Sequence, residues 1–193
     1  MNAVCVFCGS SPGTKTIYGE VAAATGREIA RRGWLLVYGG GNVGLMAKVA
    51  DAALGAGGKV VGVIPRSLLA RELGHQGLTE LVVVNTMHER KARMADLSDG
   101  FLALPGGFGT FEEFCEVLTW SQLGLHTKPC GLVNVDGYYD PLLALFDRAV
   151  NERFTRPEHR ALVLSDRSVT GALNQLETWT PVMVDKWIDG ELR

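Results

Sequence analysis

The sequence predicts an α/β protein: a Rossmann-like, doubly wound, mainly parallel sheet with helices on both faces. Three observations carry this. Short apolar runs alternate with longer helical segments along nearly the whole chain, as in repeated βα units. The apolar runs are continuous, which suits strands buried on both sides. Glycine, at 24 of 193 residues, gathers at strand exits, where such sheets bind ligands.

The elements follow in order. Ala3–Phe7 is a strand, and Ile17–Arg32 a helix with Val21, Ala24, Ile29 and Ala30 as buried candidates. Trp34–Tyr38 is a strand, Gly44–Ala56 a helix rich in alanine and leucine, and Lys59–Ile64 a strand that Pro65 ends. Ser67–Thr79 is the least regular stretch, a loop or short helix over the site. Leu81–Asn85 is a strand and Met87–Leu97 a helix. Phe101–Leu104 is a strand, with the helix Thr110–Leu123 after it. Gly131–Val135, Pro141–Glu152, Ala161–Leu164 and Val169–Thr178 read as strand, helix, strand and helix. Residues 1–180 read as one α/β domain, and residues 181–193 as a tail.

Composition narrows the classes. The chain is 47% hydrophobic and 21% charged, as expected of a soluble globular protein. A net charge of −2 provides no basic field for nucleic acid. No apolar run is long enough to span a membrane, and Met1-Asn2 leads straight into the first strand with no signal peptide, so a cytoplasmic location is expected. Cys5 and Cys8 form a C-x-x-C, but no second pair and no nearby histidine accompany it. It reads as small residues at a strand end in a reducing compartment. His75, His88, His126 and His159 show no metal-ligand spacing, and no G-x-S-x-G elbow is present. No metal and no cofactor are expected.

The most informative segment is Pro105-Gly106-Gly107-Phe108-Gly109-Thr110-Phe111-Glu112-Glu113. A glycine-rich turn between strand and helix lets backbone N–H groups approach an anion, and the helix N-terminus adds unpaired donors. Thr110 is placed to cap the helix and to offer a hydroxyl to a phosphate. Glu112 and Glu113 read as first-turn carboxylates. They point about 100° apart, so they do not share a task. Glu113, Glu116 and Trp120 line one face. A carboxylate there serves either helix chemistry or a nucleotide, by stabilising positive charge on a ribose or activating water.

Other loops offer two readings each. Gly39, Gly41 and Gly44 satisfy G-x-G-x-x-G, yet no acid follows the next strand to hold a ribose diol, which argues against a dinucleotide. The loop, with Gly40, either walls a pocket for a smaller nucleotide or is a tight packed turn. Gly9, Ser10 and Ser11 leave the first strand, as donors to a ligand or as ordinary turn residues. Arg90 and Arg93 share a face of the helix that begins at Met87; Arg90 is a phosphate fork or part of a solvated charged face. Phe108, Met87, Met94, Leu45 and Trp120 are apolar candidates for a base pocket or for core.

Together these residues resemble the LOG ("Lonely guy") family of cytokinin riboside 5′-monophosphate phosphoribohydrolases. The shared signature is P-G-G-x-G-T-x-x-E, Pro105 to Glu113. Met87-His88-x-Arg90-Lys91, Gly39 to Met46, Thr119-Trp120-x-Gln122-Leu123-Gly124-x-His126 and Asn134 to Tyr139 match as well, in the same order. The resemblance implies a Rossmann-like homodimer. It also implies hydrolysis of the N-glycosidic bond of an N6-modified adenosine 5′-monophosphate to the free base and ribose 5-phosphate. It implies Arg90 and Glu113 as the catalytic pair. Implied substrate contacts are Glu72, Arg90, Lys91, Gly107, Phe108, Gly109, Thr110, Phe111, Glu112, Glu113 and Thr119. Relatives of this kind have been labelled lysine decarboxylases, but no lysine here stands in an evident pyridoxal phosphate context. Two rivals remain on sequence grounds: a broader nucleotide 5′-monophosphate nucleosidase, and a non-catalytic nucleotide carrier or sensor.

Overall fold

The computed structural model describes residues 1–69 and 74–181. Seven parallel strands form one sheet in the order β4-β3-β2-β1-β5-β6-β7. They are β1 (Ala3–Phe7), β2 (Leu35–Tyr38), β3 (Lys59–Pro65), β4 (Glu80–Val84), β5 (Phe101–Ala103), β6 (Cys130–Val133) and β7 (Val163–Asp166). The helices are α1 (Thr16–Arg31), α2 (Gly44–Gly55), the short α3 (Arg66–Leu69), α4 (Met87–Asp96), α5 (Phe108–Gln122), α6 (Asp140–Asn151), the short α7 (Pro157–Arg160) and α8 (Val169–Thr178). The chain winds outward from β1 to β4, then returns to β5 on the other side of β1. The loops after β1 and β5 therefore flank the crevice at which the winding reverses, where doubly wound folds bind ligands.

Two apolar layers sandwich the sheet. Val4 and Val6 point to one face, against Ala22 and Ile29 of α1, Val49 and Ala53 of α2, and Leu173 and Leu176 of α8. Cys5 and Phe7 point to the other, against Met94 of α4, Phe114 and Val117 of α5, and Tyr139 before α6. That alternation is the period of a strand read against two helical layers.

Several boundaries differ from expectation for physical reasons. Of the four buried candidates in α1, only Ile29 is buried; Gly19, Ala22, Thr25 and Gly26 are buried with it, and Val21, Ala24 and Ala30 are partly exposed. The cause is close contact with α2, since a Cβ at Gly26 would lie 2.2 Å from the Val49 carbonyl oxygen. The last strand starts at Val163 because the Ala161 and Leu162 amides are spent on the α7 turn, bonding Pro157 and His159 carbonyls at 3.0 and 3.2 Å. Val135, expected in a strand, opens a 3-10 turn over Val135–Gly137, where Asp136 and Gly137 take φ of 54° and 69°. Pro65 ends β3 as its last residue, where a missing N–H costs little. The irregular stretch Ser67–Thr79 holds the end of α3 and the turn from Gly74 to Thr79. Glu72, and the tail from residue 182 onward, lie outside the described residues.

Candidate active site at the strand exits

The site is built where β1, β2, β3 and β5 end. The loop after β2 is a frame. Gly40 takes φ 74°, and its carbonyl accepts from the His75 N–H at 3.1 Å. Gly44 takes φ 55°; a Cβ there would lie 2.4 Å from the Ser10 carbonyl oxygen, so only glycine lets α2 start against the β1 loop. The Leu45 N–H donates to the Gly9 carbonyl at 3.0 Å and closes that contact. Gly41 is buried within the same turn. The loop supports the site by positioning its neighbours.

Arg90 is not part of a solvated face. It is 5% exposed, whereas Arg93 on the same helix is exposed. Thr86 caps α4 by accepting from the Glu89 N–H at 3.1 Å, and Arg90 follows in the first turn on the buried side of the helix. The guanidinium donates through Nε to the Val63 carbonyl and through Nη2 to the Gly39 carbonyl, both at 3.1 Å. It also lies 3.7 Å from the Met87 sulfur. A Cβ on Gly39 would come within 1.9 Å of Nη2. The first glycine of the triplet is the space in which Arg90 sits.

The phosphate turn differs from expectation at its cap. The N-cap is Gly107, not Thr110: the Phe111 N–H reaches the Gly107 carbonyl at 3.1 Å, so α5 opens at Phe108. Thr110 is therefore the third helical residue and is buried. A Cβ at Gly106 would lie 2.1 Å from its hydroxyl oxygen, so that oxygen packs against the turn. Glu112 and Glu113 fall in the second turn, where the helix dipole contributes less. The N–H groups that open α5 lack in-helix partners by geometry. A Cβ at Gly107 or Gly109 would meet nothing within 4 Å, so that side of the turn is open. Gly9–Gly13, Tyr18, Leu45, Pro105–Gly107 and Tyr138 enclose a crevice of about 250 Å³ at the point where the winding reverses.

Glu113 is half-buried and shares an electrostatic environment with Arg90. Burial pushes the Cys8 thiol well above its usual range; the Glu113 charge adds to the rise and the Arg90 charge opposes it. Cys5 feels the same burial and the same pair of charges. The charges of a carboxylate on α5 and a guanidinium on α4 thus both act on the thiols in and just after β1. Neither thiol is a ready nucleophile at neutral pH.

The remaining predicted contacts are placed as follows. Lys91 points to α5, where its ammonium bonds Glu112 and lies 3.0 Å from Glu116. Burial alone would lower its pKa, but hydrogen bonds and charge from the two glutamates outweigh it and hold Lys91 protonated. Phe108 stands 92% exposed on the turn. Phe111 packs edge-on to Tyr139, with ring centroids 6.3 Å apart. Met87 is partly exposed beside Arg90, Trp120 is partly buried, and Met94 and Leu45 are core. Thr119 is exposed and caps back onto the Cys115 carbonyl at 2.7 Å. It lines a separate cavity with Phe146, His159 and Val163. Six residues beyond Glu113, it lies about 9 Å along α5 and on another face. Ser10 and Ser11 are exposed on the crevice wall. Among the described residues no group of three or more His, Cys, Asp or Glu side chains is placed to hold a metal ion. Sequence reasoning gave no role to Tyr138 and Tyr139, whose hydroxyls reach the phosphate turn from the segment after β6; the two successive tyrosines after an Asp-Gly turn were the available signal.

The fold and the strand-exit crevice define a doubly wound α/β protein with a crevice where its winding reverses. A family model described as "Possible lysine decarboxylase" matches residues 46–176. A protein of Rhodococcoides fascians named cytokinin riboside 5′-monophosphate phosphoribohydrolase is 56% identical over 89% of this chain and 87% of its own length. The Arabidopsis thaliana protein of the same name, LOG2, is 49% identical over 92% of this chain and 84% of its own. The rice protein LOGL1, named as a probable member, is 50% identical over 92% and 79%. The chain belongs to the LOG family of cytokinin riboside 5′-monophosphate phosphoribohydrolases. Among solved structures, the molybdenum cofactor binding protein of Rippkaea orientalis superposes with a TM-score of 0.70 at 22% identity, covering 92% of this chain and 96% of that one. The molybdenum cofactor carrier protein of Chlamydomonas reinhardtii gives 0.67 at 22% identity, over 91% and 96%. These two share the fold.

Proposed function

We infer that this chain hydrolyses the N-glycosidic bond of cytokinin riboside 5′-monophosphates, releasing the free N6-modified adenine and ribose 5-phosphate. The observation that carries the reading is the buried Arg90, fixed on the Val63 and Gly39 carbonyls, whose charge acts with that of Glu113 on Cys8 at the exit of β1. Identity of about half over most of the chain with proteins of that name supports it.

The chemistry follows from the charges. As the bond between C1′ and the base nitrogen breaks, its electron pair leaves with the base, and positive charge builds on C1′ and the ring oxygen. The Glu113 carboxylate stabilises that charge and steers a water to C1′. The water oxygen bonds to C1′; one of its protons goes to the departing base and the other stays on that oxygen as the new C1′ hydroxyl. Arg90, fixed by two backbone carbonyls, holds a cation beside Glu113 and orients it. The 5′-phosphate binds the N–H groups of Gly107, Gly109 and Thr110, as anions bind at helix N-termini. The crevice of about 250 Å³ suits the phosphate end of the substrate. The base extends toward Met87 and Phe108, which present exposed apolar surface.

A homodimer in a reducing, cytoplasmic compartment completes the reading. Helix α6 has no buried residue, and Leu145 on it is 60% exposed. Leu125 and Phe154 add to the exposed apolar surface. The free cysteines Cys5, Cys8, Cys115 and Cys130 suit reducing conditions.

The test is a product assay. The protein is incubated with N6-isopentenyl-AMP, AMP, GMP and CMP, and free base and ribose 5-phosphate are separated by chromatography. Release from the adenine nucleotides, with the isopentenyl form favoured, is expected. No base from any of them would leave a carrier, and equal release from all four would make it a general nucleosidase.

A further inference from the structure

The segment between β6 and α6 makes an unusual set of contacts with the phosphate turn. The Tyr138 hydroxyl donates to the Gly106 carbonyl at 2.5 Å, and the Tyr139 hydroxyl to the Leu104 carbonyl at 2.6 Å. Between them, the Pro105 carbonyl accepts from the Gly9 N–H at 3.1 Å. Three successive carbonyls leading into α5 are thus each held by a donor.

We propose that Tyr138 is a positioning residue: by holding the Gly106 carbonyl, it aims the Gly107 N–H into the anion site. The argument is one of peptide geometry. In a trans peptide the C=O and the next N–H point in opposite directions. With the Gly106 oxygen turned to Tyr138, the Gly107 N–H faces away from that hydroxyl. Glycine on both sides of this peptide makes a flip of its plane sterically cheap. A flipped plane would present a carbonyl oxygen to the phosphate in place of a donor. Nothing in the Gly-Gly sequence prevents this; the hydroxyl does.

Tyr138 is itself held in place. Its ring packs edge-on to Tyr18 and Tyr139, with centroids 5.7 and 5.1 Å away. Its backbone follows the Asp136-Gly137 turn, whose positive φ angles fix the direction of the chain. Asn134 closes that turn: its Oδ1 accepts from the Tyr139 N–H at 2.7 Å and its Nδ2 donates to Asp140 at 2.6 Å. A Cβ on Gly137 would lie 2.6 Å from Asp140 Oδ2, so the turn admits only glycine there. Tyr139 is buried in the core and its hydroxyl holds the residue that leaves β5, farther from the donors. The two tyrosines therefore differ in task.

The proposal rests on the reading of the turn as a phosphate site, and its test separates the two. In Tyr138→Phe, KM for N6-isopentenyl-AMP rises about tenfold, the worth of one hydrogen bond to a charged group, while kcat changes little. The ratio of kcat/KM for the nucleotide over its nucleoside falls by the same factor. Calorimetric binding of inorganic phosphate weakens in parallel, and the melting temperature stays close to wild type. Tyr139→Phe lowers the melting temperature without the KM change. An unchanged KM and phosphate affinity in Tyr138→Phe would overturn the proposal. So would equal losses on nucleotide and nucleoside, or the same KM rise in Tyr139→Phe. If the wild type releases no base but binds phosphate, the enzymatic reading fails and the phosphate titration still decides the role of Tyr138. If it releases base but prefers the nucleoside, the phosphate site and the proposal fall together.

Discussion

A guanidinium that is 5% exposed is costly to bury unless its donors are met, and Arg90 meets them on the Val63 and Gly39 carbonyls. The consequence reaches Gly39, which touches no substrate in this account. Gly39→Ala places a methyl 1.9 Å from Nη2, so the side chain must leave the Gly39 carbonyl. The expected result is a loss of turnover approaching that of Arg90→Ala, read by base release under saturating nucleotide. Wild-type turnover in Gly39→Ala would show that Arg90 can act from another position. Residue spacing left Arg90 open between a functional fork and a solvated face, because a 3.6-residue period says which residues share a face and not which way that face turns. What excludes the solvated face is tertiary: α4 lies against β3, and Arg90 is buried on its Val63 carbonyl. Thr110 shows the opposite limit. The strand-glycine-helix pattern located the turn between β5 and α5, yet the cap falls on Gly107, since glycines allow the helix to begin earlier than side-chain preferences suggest.

At the scale of elements, the site depends on how α4 and α5 are joined. Lys91 bridges them through Glu112 and Glu116, with its own side chain 9% exposed and Glu112 largely in solvent. Lys91→Met leaves two carboxylates facing each other and costs about 1 kcal/mol of stability after solvent screening. Denaturant unfolding checks this, and an unchanged midpoint would show that the bridge does not hold the helices. The far end of α1 is tied differently. Arg31 and Arg32 both bond Glu28, while Arg32 reaches Glu177 and Asn174 on α8. Hydrogen bonding from Arg31, with smaller help from Arg32 and against the effect of burial, holds the Glu28 carboxyl down at about 2. A carboxyl depressed in the folded state stabilises above its ordinary value and loses that contribution as pH falls through the folded one. Acid should therefore erode stability between pH of about 4.5 and about 2, and less so in Glu28→Gln. Equal acid sensitivity of the two proteins in melting curves would contradict this. The elements themselves were legible in sequence, because continuous apolar strands and helical periods are local signals. The start of β7 was not, because α7 consumes amides that the apolar run alone assigns to the strand.

At the scale of the whole molecule, the doubly wound order brings the β1 and β5 loops together, and the crevice between them is a property of topology. No helix among the described residues is long and apolar enough to cross a membrane. The homodimer proposed above would use exposed apolar surface such as Leu145 on α6. Leu145→Glu is then expected to shift sedimentation from dimer to monomer, and a wild-type monomer would contradict the dimer. The pairing of Arg90 with Glu113 over a helix N-terminus is the central claim, and Glu113→Gln tests it most directly because it keeps shape and removes charge. Base release from N6-isopentenyl-AMP should fall about 10²–10³-fold, with the melting temperature near wild type. Turnover close to wild type in that variant would contradict the account.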